Sequence, residues 1–303
     1  IRIARQIAAK LGETLTAAEF LGEGSTSRAF RITSDKASHV LRVASPRAGK
    51  RSTYETDFAI RHALVDAGQP VARPVATDKS LPIEDGAQWA LDEFCPGDHP
   101  VRAAITTEVS AAVGELLRAL HGQPVTGFGQ FRDSRETLRG LADDPVAGML
   151  SRLESPWPFC SDPLAAHPSV RKEPDLEAPL RAIEQELRDY VQTGSPVATH
   201  TDLHEGQLLI EDNRLCAVLD FNDAVASRKE WDFGSWLYYH RENSLDDLLR
   251  GYAPDRNRWD QHRRDAVLAG ILIALHHGNR GVVLNRPHRI EASVSFLRRH
   301  LLS

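Results

Sequence analysis

Apolar positions in the first third of the chain recur at short, changing intervals. Ile3, Ile7 and Leu11 share one face and predict a short amphipathic helix over residues 2–12. Strands are predicted around Glu19 to Leu21, Arg28 to Ile32 and His39 to Val43, with breaks at Gly22 to Ser27 and at Ser34-Asp-Lys36. Thr53 to Ala67 reads as a helix ending at Gly68, and Pro70 and Pro74 mark an extended return. Gln88 to Phe94 is a strand stopped by Pro96-Gly97, a natural place for an interlobe hinge.

Helical periods dominate afterwards. Thr106 to His121 carries the stripe Val109, Val113, Leu116, Leu117 and Leu120. Seven prolines between 130 and 180 predict short helices and loops. Glu177 to Thr193, Trp231 to Tyr239, Gln261 to His277 and Arg289 to Leu302 complete the expected helices. Leu208-Leu-Ile210 and Leu215 to Leu219 flank Glu211-Asp-Asn-Arg214 and predict a β-hairpin. The pattern implies an α+β chain. A small antiparallel-sheet lobe with one long helix spans 1–96, and a larger, mainly helical lobe spans 97–303.

That hairpin changes the picture from fold to chemistry. It follows His200-Thr-Asp-Leu-His-Glu-Gly-Gln207 and leads to Leu219-Asp-Phe-Asn-Asp-Ala224. A chain that folds back is expected to return Asp220 close to Asp202 and Gln207. Two carboxylates and an amide oxygen at one loop mouth suit metal-assisted phosphoryl transfer: one Asp takes the proton of an attacking hydroxyl, and the other groups hold Mg²⁺ on ATP phosphates.

These segments resemble the catalytic loop and the D-F-G-type segment of protein-kinase-like folds, and look most like the aminoglycoside phosphotransferase family, hygromycin-type enzymes in particular. Upstream, Glu23-Gly-Ser-Thr-Ser-Arg-Ala-Phe30 and Val40-Leu-Arg-Val43 resemble that family's nucleotide-binding lobe. The resemblance implies a bilobal kinase-like fold and ATP- or GTP-dependent transfer to a small-molecule hydroxyl, with a role in antibiotic resistance. Asp202 is then the catalytic base, Asp220 and Gln207 the metal ligands, and Gly22, Gly24, Ser25, Thr26 and Ser27 the phosphate turn. Arg42 stands where protein kinases have a strand lysine. Glu55 is its expected helix partner, from the spacing to Pro70; Asp57, two residues on, is the alternative. Glu93 and Cys95 would offer backbone groups to the base at the hinge, and Asp232 resembles the buried Asp that braces the loop.

Departures from the family pattern are specific. Gln207 replaces the usual Asn, which puts a second metal site in question, and Thr201 and Glu205 replace Gly and Pro. His200 and His204 are spaced like two zinc ligands but lack a neighbouring third. A protein kinase is disfavoured because Asp232 follows Asp220 too closely for an activation loop and no Ala-Pro-Glu appears. A nucleotide-binding pseudokinase rests on Arg42 and Gln207, and intact Asp202 and Asp220 oppose it. Macrolides, choline, homoserine and sugars are alternative acceptors.

Composition narrows the partners. With 41% apolar and 26% charged residues and net charge −5, the chain reads as a globular protein without a nucleic-acid surface. Ala266 to Leu275 is too short to span a membrane, and the start at Ile1 shows no signal-peptide core. Three separated cysteines fit a reducing cytoplasm, as a monomer or homodimer. Residues 1–97 carry 13 Lys+Arg against 12 Asp+Glu, and residues 98–303 carry 24 against 30. The acidic second lobe suits a cationic acceptor, with Asp143, Asp144, Asp223, Glu230 and Glu242 as candidate lining, although an ordinary acidic surface is the stronger reading of the charge. Trp157, Phe159 and Trp231 are expected in the core, with stacking on the acceptor as the alternative.

Overall fold

A computed structural model describes the chain except residues 25, 46–52, 85, 102–104, 154–155, 241, 254, 257 and 303, with backbone alone at 242 and 243. The chain divides into two units. The first comprises Ile1–His99, Asp133–Thr137 and Leu208–Asn222; the second comprises Pro100–Arg132, Leu138–Gln207 and Asp223–Ser303. The single cut expected at 96/97 is therefore corrected, because two later segments make their contacts with the first unit.

In the first unit, strands β1 (Leu15–Glu23), β2 (Ser27–Ser34), β3 (Ser38–Ala44), β4 (Pro74–Thr77) and β5 (Trp89–Glu93) form one sheet in the order β1-β2-β3-β5-β4. Every pairing in it is antiparallel. Helix α1 (Arg2–Lys10) lays Ile3, Ile7 and Leu11 on Ile32, Leu41, Trp89 and Leu91, the stripe its period predicts. Helix α2 (Tyr54–Asp66) buries Asp57, Ile60, Arg61 and Leu64.

The second unit is helical around a small sheet. Helix α3 (Thr107–His121) has its N-terminus capped by the Thr106 hydroxyl, which accepts from the Val109 N–H. Strands that the sequence did not announce follow, β6 (Val125–Thr126), β7 (Phe128–Phe131) and β8 (Leu138–Ala142), and α4 (Pro145–Arg152) is one of the expected short helices. These strands are too short and too rich in glycine to show an alternating pattern. A Cβ on Gly140 would lie 2.4 Å from the Phe128 carbonyl oxygen, so glycine is what lets β7 and β8 meet. With β9 (Val197–Thr199) and β12 (Val225–Ser227) they make a sheet in the order β6-β8-β7-β12-β9.

Helix α5 (Pro168–Lys172) follows, and the single helix expected from 177 to 193 is two, α6 (Glu177–Ala182) and α7 (Glu184–Gln192). Beyond β12 come α8 (Glu230–Tyr239), α9 (Glu242–Tyr252), α10 (Trp259–Val283) and α11 (Pro287–Leu301). The unexpected α9 crosses α3 so closely that a Cβ on Gly251 would lie 1.9 Å from the Ala111 carbonyl oxygen. Among the described residues α10 alone is long and apolar enough to cross a bilayer, but 67% of its most apolar window is buried within the protein.

The hairpin β10 (Leu208–Glu211) and β11 (Arg214–Val218) belongs to the first unit. Asp212 and Asn213 turn it with φ of 51° and 61°, values that Asp and Asn tolerate. It is pinned by the Asp98 N–H to the Ile210 carbonyl at 3.0 Å and by the Val218 N–H to the Pro70 carbonyl at 2.9 Å.

Candidate active site

Arg42 lies mid-strand in β3, opposite Ala29 of β2 and Ala90 of β5. Its Nε donates to Asp92 at 2.9 Å and its Nη2 to Asp57 at 2.5 Å. Arg61, one turn beyond Asp57, donates to the same two carboxylates at 2.6 and 2.7 Å. Two cations and two anions thus alternate in a closed ring. Burial alone would raise the Asp57 carboxyl, but Arg42 and Arg61 outweigh it and hold the pKa down at about 2. Burial opposes the Arg42 charge as well; Asp57 and Asp92 overcome it and raise the guanidinium well above its ordinary value. Arg42 remains 13% exposed, and among the described residues nothing accepts from its Nη1. One edge of a permanently charged fork is left for an anion.

The start of α2 is gripped from outside the helix. Asp133 accepts the N–H groups of Glu55 at 2.9 Å and Thr56 at 3.2 Å, as a capping side chain would. Arg135 pairs with the Glu55 carboxylate at 2.6 Å and lies 3.7 Å over the Phe58 ring. The Thr77 hydroxyl also donates to Glu55.

Three other parts of the first unit carry residues that the sequence led us to expect at a nucleotide. In the β1–β2 turn the Gly24 N–H donates to the Ser27 carbonyl at 2.8 Å, so it closes the turn. A Cβ on Gly22 would meet nothing within 4 Å, which leaves open room beside the turn. At the end of β5 the Glu93 N–H donates to the Arg73 carbonyl at 2.9 Å, while among the described residues nothing accepts the Cys95 N–H. After β11, Asp220 is exposed and adopts φ 62°, a left-handed conformation costly for a residue with a side chain. The next two residues anchor it: Phe221 is fully buried, and the Asn222 carbonyl accepts the Thr53 hydroxyl at 2.7 Å.

In the second unit, β9 delivers the loop that carries Asp202. Asp232 on α8, itself fully buried, holds that loop by the backbone. Its Oδ2 accepts the His200 N–H at 3.0 Å and its Oδ1 the Thr201 N–H at 2.7 Å. His121 of α3 approaches the same Oδ2 through Nε2 at 3.0 Å. Ser235 accepts the Leu203 N–H at 3.0 Å. Thr201 has φ 72°, an outlier for a β-branched residue, and its hydroxyl donates to the Asp223 carbonyl at 3.3 Å.

Asp202 projects from this loop with its carboxylate 34% exposed. Its Oδ1 accepts the Tyr239 hydroxyl at 2.8 Å, and the His204 Nε2 lies 3.8 Å from its Oδ2. Behind Tyr239, the His277 Nε2 is 3.4 Å from the same hydroxyl. Burial drives the His277 pKa down to about 4; Arg289 lowers it further and Asp202 opposes the shift. Burial also lifts the Tyr239 phenol well above its ordinary value, and Asp202 adds to this. Both groups are therefore neutral near pH 7, and Tyr239 keeps its proton to donate. The Gln207 amide nitrogen lies 3.4 Å from the His204 Nε2.

The profile of the phosphotransferase enzyme family (APH) matches residues 17–265, most of the chain. The chain belongs to this family. No curated protein gives a significant sequence match. Among solved structures, a thermostable mutant of aminoglycoside phosphotransferase APH(4)-Ia, in ternary complex with ADP and hygromycin B, aligns with a TM-score of 0.66 at 14% identity over 98% of each chain. The GDP and kanamycin complex of APH(2")-IIIa aligns at 0.57 and 16% identity, over 99% of this chain and 98% of that one. Macrolide 2'-phosphotransferase MphH from Brachybacterium faecium aligns at 0.54 and 17%, over 98% of each. At these identities the likeness shows a common fold, the α+β kinase-like architecture expected from the sequence.

Within this phosphotransferase the expected partner of Arg42 is corrected. Asp57 holds it and Glu55 does not. Distance to Pro70 does not fix the helical phase; the sequence signal that does is Asp57, Ile60, Arg61 and Leu64 at i, i+3, i+4 and i+7, one buried face. Glu55 leaves the helix toward Arg135 and Thr77.

The acidic lining expected for an acceptor is corrected at Glu230. Glu230 is buried, 3.3 Å from His262 and 3.5 Å from Arg228. Asp144 caps α4 by accepting the Ala147 N–H at 2.8 Å, and Asp223 lies 3.6 Å from Arg152. Asp143 is exposed, and Ser25 and the Glu242 side chain lie outside the described residues. Trp157 and Trp231 are buried.

Asp202 and Gln207 fall in the second unit and Asp220 in the first, and each is placed within its own unit. Sequence reasoning missed Tyr239, His277, Arg61, Asp92 and Asp133 as partners of these groups. For Arg61 the i,i+4 spacing to Asp57 was a usable signal; for the others the contacts span 37 residues or more and no local pattern announces them. Asp220 carries carboxylate oxygens and Gln207 an amide oxygen, donor types that Mg²⁺ accepts. Among the described residues no three His, Cys, Asp or Glu side chains cluster as a metal site by themselves.

Proposed function

We propose that this phosphotransferase moves the γ-phosphoryl group of ATP or GTP to a hydroxyl of a small molecule, with Asp202 as the proton acceptor. The observation that carries the reading is the Asp202 carboxylate, partly exposed on a loop whose backbone is fixed by the buried Asp232.

On this reading the Cys95 N–H takes the nucleotide base and the Arg42 edge takes phosphate oxygens. Asp220 and Gln207 would hold Mg²⁺, which supplies charge neutralisation on the phosphates. Asp202 receives the proton as the acceptor oxygen forms its bond to phosphorus and the bond to the leaving diphosphate breaks. Positioning and charge supply most of the rate in such chemistry, so a rigidly held carboxylate is what this chain must provide.

For the acceptor, an aminoglycoside-like hydroxyl is the leading class. Its support is the hygromycin B and kanamycin held by structural neighbours. The macrolide 2'-phosphotransferase neighbour keeps macrolide hydroxyls in view. With Glu230 and Asp144 engaged in the fold, surface charge adds little to the case for a polycation.

An ADP-release screen over cationic antibiotics, macrolides, amino alcohols and sugars tests the reading, run beside Asp202→Ala. The expected result is acceptor-dependent release that the variant loses while it still binds nucleotide. Turnover in the variant within about tenfold of the parent, roughly 1.4 kcal/mol, would sink the assignment of the base.

A further inference from the structure

Among the described residues, the one side-chain hydroxyl bound to the candidate base comes from a residue the family motifs do not include. Tyr239 ends α8, and its hydroxyl donates to the Asp202 Oδ1 at 2.8 Å. Its ring is held edge-on by Tyr238 at 5.1 Å, by His204 at 5.5 Å and by His277 at 5.9 Å between centroids. His277 Nε2 stands on the far side of the hydroxyl at 3.4 Å. The phenol is thus wedged on α8 between the loop and α10, with one direction in which its proton can make a short bond.

We infer that Tyr239 is the positioning residue of the phosphotransferase: it fixes the Asp202 carboxylate by Oδ1 and so presents Oδ2 to the acceptor hydroxyl. The inference rests on Asp202 being the base. The physical reason is a division of the carboxylate. An Asp side chain on an exposed loop can rotate about its terminal torsion, which is broad and roughly two-fold. A short bond to a neutral donor removes that freedom. It leaves Oδ2, beside the His204 ring, as the oxygen that can take a proton.

Charge supports the same division. The groups facing this carboxylate in its unit are His204, His277 behind Tyr239, and the buried His200, whose Nδ1 accepts the Asp202 N–H at 3.4 Å. None of these supplies a short charged bond to Asp202, and among the described residues Tyr239 makes the short bond that sets which oxygen is engaged. His277 accepts no proton readily, because its burial favours the neutral ring. It serves as a backstop for the phenol and not as a proton sink.

The test compares wild type, Tyr239→Phe and Asp202→Ala. ADP release is measured from ATP and Mg²⁺ with hygromycin B, with kanamycin and with water alone as acceptor, beside Tm and ATP affinity. Tyr239→Phe keeps the ring and deletes the hydroxyl. The expected result is a kcat about tenfold to hundredfold lower for whichever acceptor the wild type uses, with KM for ATP within about twofold and Tm nearly unchanged. The Tyr239→Phe, Asp202→Ala double variant should be no slower than Asp202→Ala. An inactive Asp202→Ala beside a Tyr239→Phe with wild-type kcat would overturn the Tyr239 role and leave the base standing. So would a loss confined to Tm or to KM for ATP. Should Tyr239→Phe fold poorly, Tyr239→His, which restores a donor on an aromatic ring, must recover kcat over Tyr239→Leu for the inference to hold. An Asp202→Ala that releases ADP within about tenfold of the wild type would remove the base assignment and this inference with it.

Discussion

Arg42 and Asp57 are joined at 2.5 Å inside the first unit, and neither is alone there. Arg61 and Asp92 complete the ring, so each charge has two opposite neighbours. Removing one member leaves three buried charges that no longer balance, and such a loss costs far more than an exposed pair would.

Asp57→Asn should therefore destabilise the protein by about 3–5 kcal/mol, measured by chemical denaturation. Glu55→Gln, whose partner Arg135 is 30% exposed, should cost less. If the two variants lost equal stability, the ring would not be the stronger brace.

The same residue sets an acid limit. Its pKa falls from an ordinary 3.8 to about 2 in the folded chain. A depressed carboxylate contributes fully above its unfolded value and loses that contribution as pH falls through its folded one. Stability of the wild type should fall between pH 3.8 and about 2 with a component that Asp57→Asn lacks. Parallel acid titrations of the two proteins, followed by circular dichroism, check it.

Gln207→Asn restores the family's usual amide at that position with one methylene fewer. The expected outcome is retained or raised turnover, because the amide oxygen survives. Loss of Mg²⁺-dependent ATP binding in this variant would show that the longer arm is needed.

Thr201→Gly should leave turnover intact and change stability by no more than about 1 kcal/mol. Glycine relieves the strain of a φ of 72°. It gives up the hydroxyl bond to Asp223 and gains freedom in the unfolded chain, which offset that relief. A drop of several kcal/mol in a denaturant melt would mean that the hydroxyl holds the loop.

Asp232→Asn should act on both fold and rate. The amide keeps one acceptor oxygen for three donors, so one buried N–H faces an NH₂ group. The predicted cost is about 3 kcal/mol or more in stability, with kcat about a hundredfold lower as the loop shifts. Unchanged kcat with lowered Tm would show that loop placement does not depend on this carboxylate.

Legibility followed locality. The stripes of α1 and α3, the hairpin after Gln207 and the loop around Asp202 could be read because their signals lie within a few residues. The short strands β6 to β8 could not, since glycine at the β7–β8 contact leaves no alternation to see. Helix α9 was missed as well. Asp57 was readable from its place on the buried stripe of α2, yet spacing to a distant proline pointed elsewhere. The bond between Tyr239 and Asp202 exists only after α8 folds back on the loop.

Asp232 grips the loop by its peptide groups and leaves its side chains alone. Shape and lettering are thereby separated: the path of the chain from His200 to Leu203 is set from behind by α8, whatever Thr201, His204, Glu205 and Gln207 happen to be. A designer can rewrite those four letters and expect the path to survive, but changes at His204 and Gln207 also reach the proposed base and the proposed metal. The departures already present at Thr201, Glu205 and Gln207 are what such rewriting looks like.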